Sequence, residues 1–176
     1  MKKNSVLLFF VFVISILLAT YTYAKDVQVE RSYLKLGYTA IDSALKESKK
    51  HFKKDIALPS VVPISFNQSF GRVVNQLGFA NDYFEVVYLD SKNGNNHYKI
   101  EVRPLKYKLP IEMEKVDEVV ILNNGTKALY GTNTMQGFHC LIFEVNDWQY
   151  MLALDNDASD QNLQTLLDVA NSIESK

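Results

Sequence analysis

The chain has 176 residues, 47% hydrophobic and 22% charged, with a formal net charge of -1 and one cysteine. A nucleic-acid binder is expected to be clearly basic, a disulfide framework needs paired cysteines, and a disordered chain has fewer apolar residues, so all three classes are excluded. No fixed-period repeat or low-complexity tract is present either, which excludes solenoids and stalks.

The opening "MKKNSVLLFFVFVISILLATYTYAKD" starts with Lys2 and Lys3, runs uncharged and mostly apolar from Val6 to Ala19, and meets small residues at Thr22 and Ala24. That is the layout of a secretory signal cut after Ala24. The competing reading is a retained membrane anchor, because the uncharged run from Val6 to Ala24 approaches the roughly 20 residues of a spanning helix. Either reading predicts an extracytoplasmic protein, secreted or tethered by this segment. Beyond residues 1–24 the chain has 17 basic and 20 acidic residues. It divides into a basic amphipathic helix region at 25–57 and an α+β domain at 58–176, together enough for one substantial core.

In "GYTAIDSALKESKKHFKKD", Tyr38, Ile41, Ala44, Leu45, Ser48 and Phe52 recur at helical spacing and define one face. Lys49, Lys50, Lys53 and Lys54 gather at its end, where cations interact favourably with the helix dipole. The following "LPSVVP" is expected to stop the helix, because a residue before proline is steered toward extended conformations. Between Arg31 and Lys54 there are seven basic and two acidic residues, whereas the rest of the mature chain is acidic. The four lysines read either as a solvated helix face or as a contact for an anionic surface, such as phospholipid headgroups or a cell-wall polyanion.

From about Phe84 the pattern alternates as strands do. "YFEVVYLD" and "HYKIEVRP" flank "SKNGNN", predicting a hairpin turn at Asn93-Gly94. A second turn at Asn124-Gly125 would place Leu122 opposite Lys127, Ile121 opposite Ala128 and Val120 opposite Leu129. A third, at Asn146-Asp147, would place Val145 opposite Trp148, Phe143 opposite Tyr150, Leu141 opposite Leu152 and His139 opposite Leu154. Three successive hairpins predict an antiparallel meander over 84–155. Neighbouring strand residues point to opposite faces, so His139 and Cys140 cannot form a thiolate–base pair. Cys140 is expected to be a small packed residue and His139 a strand-end residue with one satisfied nitrogen. Trp148 is expected to anchor the core with its indole nitrogen partnered at the rim. His51 and His97 are expected to face solvent.

The ending "DNDASDQNLQTLLDVANSIESK" has a stripe of Leu163, Leu166, Leu167, Ala170 and Ile173, with Ser159 at the N-cap position. It predicts a helix from about Asp160 to Ser175 covering one sheet face. Asp155, Asp157 and Asp160 invite a calcium reading, but the sixth EF-hand position is Asp160 instead of glycine and the twelfth is Leu166 instead of glutamate. A solvated acidic loop is the simpler account. The chain has no G-x-S-x-G elbow, H-E-x-x-H helix, Walker loop or dinucleotide fingerprint. Three scattered histidines and one cysteine are poor material for zinc. Glu112, Glu114, Asp117 and Glu118 read as a charged loop leading into a strand. No cofactor, metal site or catalytic residue is expected.

The close of the chain, "HCLIFEVND", "WQYMLALD" and "SDQNLQTLLDVANSIES", resembles the end of an uncharacterised domain found in exported and membrane-anchored proteins of Gram-positive bacteria. In that family a tryptophan-bearing strand, a turn, a tyrosine-bearing strand and a Leu-Leu-x-x-Ala-x-Ser-Ile helix finish the domain; here Trp148 follows the turn. Leu58 to Phe66, with its two prolines, is similar to the family's opening. The resemblance implies an extracytoplasmic α+β module and assigns no catalytic residues.

Two functions from different classes follow. The first is a non-catalytic module of the cell envelope that binds a protein, a polymer or a lipid. The second is a small secreted hydrolase built on carboxylates or on His139 with a loop residue. The absence of catalytic spacing favours the first. Convergence of His139 and the Asp155–Asp160 carboxylates in one concave site would favour the second.

Overall fold

The computed structural model describes residues 2–75, 81–91, 97–158 and 162–173, with backbone alone at 2–11, 16–19 and 21–23. Contacts divide the chain into two units, Met1–Leu36 and Gly37–Lys176. The first is one helix, α1 (Lys2–Lys35), which runs through the position after Ala24 without a break. Among the described residues no helix is long and apolar enough to cross a membrane.

The second unit is an α+β fold, a seven-stranded antiparallel sheet with helices near both ends of its sequence. Its elements are α2 (Ile41–Phe52), β1 (Gln68–Val74), β2 (Tyr83–Leu89), β3 (His97–Pro104), β4 (Glu118–Ile121), β5 (Lys127–Met135), β6 (Phe138–Val145), β7 (Trp148–Asp155) and α3 (Asn162–Asn171). The order across the sheet is β1-β2-β3-β7-β6-β5-β4. Two meanders, β1 to β3 and β4 to β7, therefore meet where β3 pairs with β7. Residues 105–117, with short 3-10 turns at Leu105–Tyr107 and Met113–Lys115, carry the chain from the centre of the sheet to its far edge.

Alternation decides what each face does. Phe84, Val86, Tyr98, Ile100, Val102, Leu141, Phe143, Trp148, Tyr150, Leu152 and Leu154 point to one side and form the core with Leu166, Val169 and Ala170 of α3. Burying one such side chain contributes about 1.5–3 kcal/mol. Trp148 is 2% exposed. Its Nε1 donates to the Asp55 carbonyl at 3.1 Å, and the Tyr150 hydroxyl donates to the Ala57 carbonyl at 2.9 Å. These two bonds hold the return segment after α2 over the core, as the partnered indole at the rim required. On the other flank, Gly71 lets the first turn of α2 approach β1: a Cβ there would lie 2.9 Å from the Ala44 Cβ.

The third hairpin follows the expected register from Val145 opposite Trp148 to His139 opposite Leu154. Asn146 and Asp147 both take left-handed φ, 52° and 65°, as a type I′ turn demands. The second hairpin is one residue out. Val119 pairs with Leu129, Val120 with Ala128 and Ile121 with Lys127, because the loop has three residues, Asn123 to Gly125, and Gly125 takes the left-handed position at φ 82°. The Asn93-Gly94 turn, Ser159 and Asp160 lie outside the described residues. Strand β1 was not foreseen; its sequence "QSFGRVV" breaks alternation at glycine. Helix α2 ends at Phe52 because Lys53 adopts left-handed φ, 59°, and its N–H bonds the Lys49 carbonyl at 3.0 Å. The prolines come later and do not stop it. Tyr38 also leaves the predicted helix face: it precedes α2, beside the Thr39–Gly71 bridge on the edge of β1.

Candidate functional site

The residues between the core positions build the second face of the sheet, and here charge enters. Glu85 of β2 stands directly opposite Glu101 of β3. Two carboxylates so placed repel unless cations intervene. Arg72 donates to Glu85 Oε2 from Nε at 2.8 Å, with Nη2 at 2.7 Å, and the Tyr38 hydroxyl donates to the same oxygen at 2.6 Å. Arg103 donates from Nε to Glu101 Oε1 at 2.6 Å and from Nη1 to the Asn81 carbonyl at 3.0 Å. Each guanidinium also covers a ring, Arg72 that of Tyr38 at 4.2 Å and Arg103 that of Tyr83 at 4.3 Å. Burial pushes the Glu101 carboxyl above its ordinary value, against the opposing pull of the Arg103 charge and hydrogen bond.

Next to this network the 105–117 connection crosses the sheet as a strap, fixed at both ends. At its start the Leu105 N–H bonds the Asp147 carbonyl at 2.9 Å. The buried Gln149 side chain then clamps Leu109, accepting from its N–H at 2.8 Å and donating to its carbonyl at 3.1 Å. At its end the Asp117 N–H bonds the Tyr130 carbonyl at 2.8 Å, and the Asp117 carboxylate accepts from the Thr132 N–H at 2.7 Å and hydroxyl at 2.8 Å. Those two bonds, hydroxyl first, hold the Asp117 carboxyl below its usual value. Gly131 makes the seat: a Cβ there would overlap the Lys115 carbonyl.

Between these fixings the strap stands off the sheet over a cavity of about 400 Å³. Leu109, Pro110 and Ile111 line it from the strap, and Met135, Ile142 and Met151 from the sheet. Glu101 and Arg103 close one side, and the Glu112–Lys115 ion pair, 2.6 Å, stands at the exposed rim. The volume falls within the range of small-molecule sites, as does the mixture of apolar walls with a few polar groups.

The groups considered for chemistry are engaged elsewhere. Cys140 is fully buried on the second face, and burial pushes its thiol up to about 12, so no thiolate forms near neutrality. His139 points to the opposite face, with Nδ1 against the Tyr130 hydroxyl. His51 and His97 are partly buried rather than solvent-facing: His51 Nε2 lies 2.9 Å from buried Asp82, and His97 Nδ1 lies 3.0 Å from Asp155, which also accepts from the His97 N–H at 2.7 Å. His139 and Asp155 thus lie on different faces and do not converge. Among the described residues no cluster of His, Cys, Asp or Glu could hold a metal ion.

The four lysines remain at the exposed C-terminal end of α2 and just beyond it. Lys49 pairs with Asp55 at 2.9 Å and Lys54 with Asp147 of the third hairpin turn. The second-face residues were missed for an identifiable reason. In "HYKIEVRP" the charges at 99, 101 and 103 alternate with core residues and read as solvent-facing; the strap, arriving from later in the chain, helps to enclose 101 and 103, together with Tyr83 and Asn81. No family model, curated protein or solved structure matches the chain.

Proposed function

We propose that this chain is a non-catalytic extracytoplasmic binding module of the cell envelope, receiving its ligand in the cavity beneath the strap. The observation that carries the reading is the cavity itself: apolar walls, charges already paired, and a roof fixed at Leu109 and Asp117. An extracytoplasmic location is supported by the Lys2-Lys3 start, the uncharged run to Ala19 and the small-residue exit at Ala24. The exposed lysines Lys49, Lys50, Lys53 and Lys54 provide a second, weaker contact with an anionic surface, since exposed pairs such as Lys49–Asp55 exchange readily with other anions.

The hydrolase alternative rests on Glu101, a carboxyl of raised pKa in the cavity wall. It needs a second reacting group in the cavity. Glu85 is not part of the lining, and Glu112 is held by Lys115.

A fragment screen by melting temperature tests the reading. Residues 37–176, which hold every residue of the core cluster, are compared with a variant in which Ile111→Trp fills the cavity. Ligands that stabilise the parent and not the variant are expected; turnover of a ligand, lost in Glu101→Gln, would favour the hydrolase. Cosedimentation with anionic vesicles or cell wall should fall with salt, over a Debye length of about 8 Å, and vanish when the four lysines become glutamine.

A further inference from the structure

The cavity lining narrows the ligand chemistry. Aromatic residues are 12% of the chain, yet among the described residues none lines this cavity. Many rings stand on the core face and two lie beneath the arginines, while Phe138 and Tyr107, under Lys99 and Lys106, are not part of the lining. Nucleobases and other flat bodies are held by stacking on rings or guanidinium planes, and here the nearest guanidinium already lies on Tyr83. A charged ligand body fares no better. Inside the cavity Arg103 is already matched by Glu101 at 2.6 Å, so an ion there would have to break a buried pair.

What the walls do favour is a flexible apolar body. Met135 and Met151 are unbranched and conformationally adaptable, and Leu109, Ile111 and Ile142 complete an aliphatic surface. The volume of about 400 Å³ lies toward the small end of ligand sites, suiting one chain rather than a two-tailed body. Polar groups stand where a headgroup would emerge: Glu112 and Lys115 are exposed, and Thr134 is partly so.

We propose that the cavity takes a single unbranched aliphatic chain, the acyl or alkyl tail of an amphiphile. The inference rests on the reading of the cavity as a ligand site and adds the class of ligand. Free fatty acids and single-tailed lipids share this tail, and their headgroups distinguish them.

Calorimetric titration of residues 37–176 with hexanol, octanol, decanol and dodecanol provides the test, followed by dodecanoate and a lysophospholipid of the same tail length. Affinity is expected to rise by up to about fourfold per added methylene until the cavity is full. The ordering of dodecanoate against the lysophospholipid then assigns the source of the tail. Ile111→Trp, from the strap, and Met135→Trp, from the sheet, should each weaken dodecanol binding by roughly tenfold or more with the melting temperature retained; whichever folds is sufficient. Affinity that does not depend on chain length, or that survives in the folded filled variants, overturns the proposal. An aromatic or sugar ligand that binds and is lost on filling overturns the aliphatic assignment while leaving the ligand site in place. Failure of every ligand to show a cavity-dependent signal overturns both.

Discussion

The two faces of the sheet are made by the same strands with alternate residues, and they solve different problems. On the core face Tyr98, Ile100 and Val102 meet Leu154, Leu152 and Tyr150 in cross-strand rows and are closed by α2, α3 and the return segment. On the other, Glu101 and Arg103 stand beside Met151 and Gln149, and a strap held at both ends leaves space beneath it. The first face maximises packing. The second accepts buried charge, each matched by a partner, and keeps a cavity that close packing would have removed. A difference of this kind separates residues that hold the fold from residues available for binding.

The comparison is broken most severely at Trp148. Trp148→Ala should cost about 3–5 kcal/mol in denaturant unfolding, because it removes both a core ring and the indole bond to Asp55. A loss equal to that of a surface substitution would mean that the return segment is not held there.

On the second face, Arg103→Leu should cost about 3 kcal/mol by leaving the buried Glu101 carboxylate without its cation. Replacing both, Glu101→Met with Arg103→Leu, should recover most of that loss, since the pair is retained at a desolvation cost. The pH dependence has a definite sign. The native state holds the Glu101 proton more tightly than the unfolded chain, so this group's contribution is fully present below the ordinary value of 4.5 and is lost as pH rises through the raised folded value. Melting temperature against pH should show that decline in the parent and not in Glu101→Gln.

A smaller effect is expected at the clamp. Gln149→Ala frees the N–H and carbonyl of Leu109 and should cost about 1–2 kcal/mol. Its signature is local: hydrogen exchange should quicken at Leu109 and Ile111 while β7 amides paired to β3 stay protected.

Much of the core face was legible because its signals are local. Left-handed turn residues Asn146-Asp147 and strict alternation fix the third hairpin, and with it the separation of His139 from Cys140. The second hairpin slipped by one residue because a glycine that suits a two-residue turn also suits the last place of a three-residue loop. Strand β1 has no such turn signal and is recruited by pairing with β2. The cavity depends on β3 pairing with β7, and on a glycine at 131 whose role is to seat Lys115. No window of sequence contains both halves of such a contact. The lysines were visible as a cluster, but the partner of Lys54, Asp147, lies 93 residues away.

The central claim, that the space beneath the strap is where this module binds, is tested most directly by methyl NMR of residues 37–176 with labelled methionine. Met135 and Met151 line the cavity, whereas Met113, 59% exposed on the strap, serves as an internal control. Titration with any ligand that raises the melting temperature should shift the Met135 and Met151 methyls together and leave Met113 nearly unmoved. Shifts confined to Met113, or none at all while the ligand still stabilises the protein, would place binding elsewhere and contradict the account.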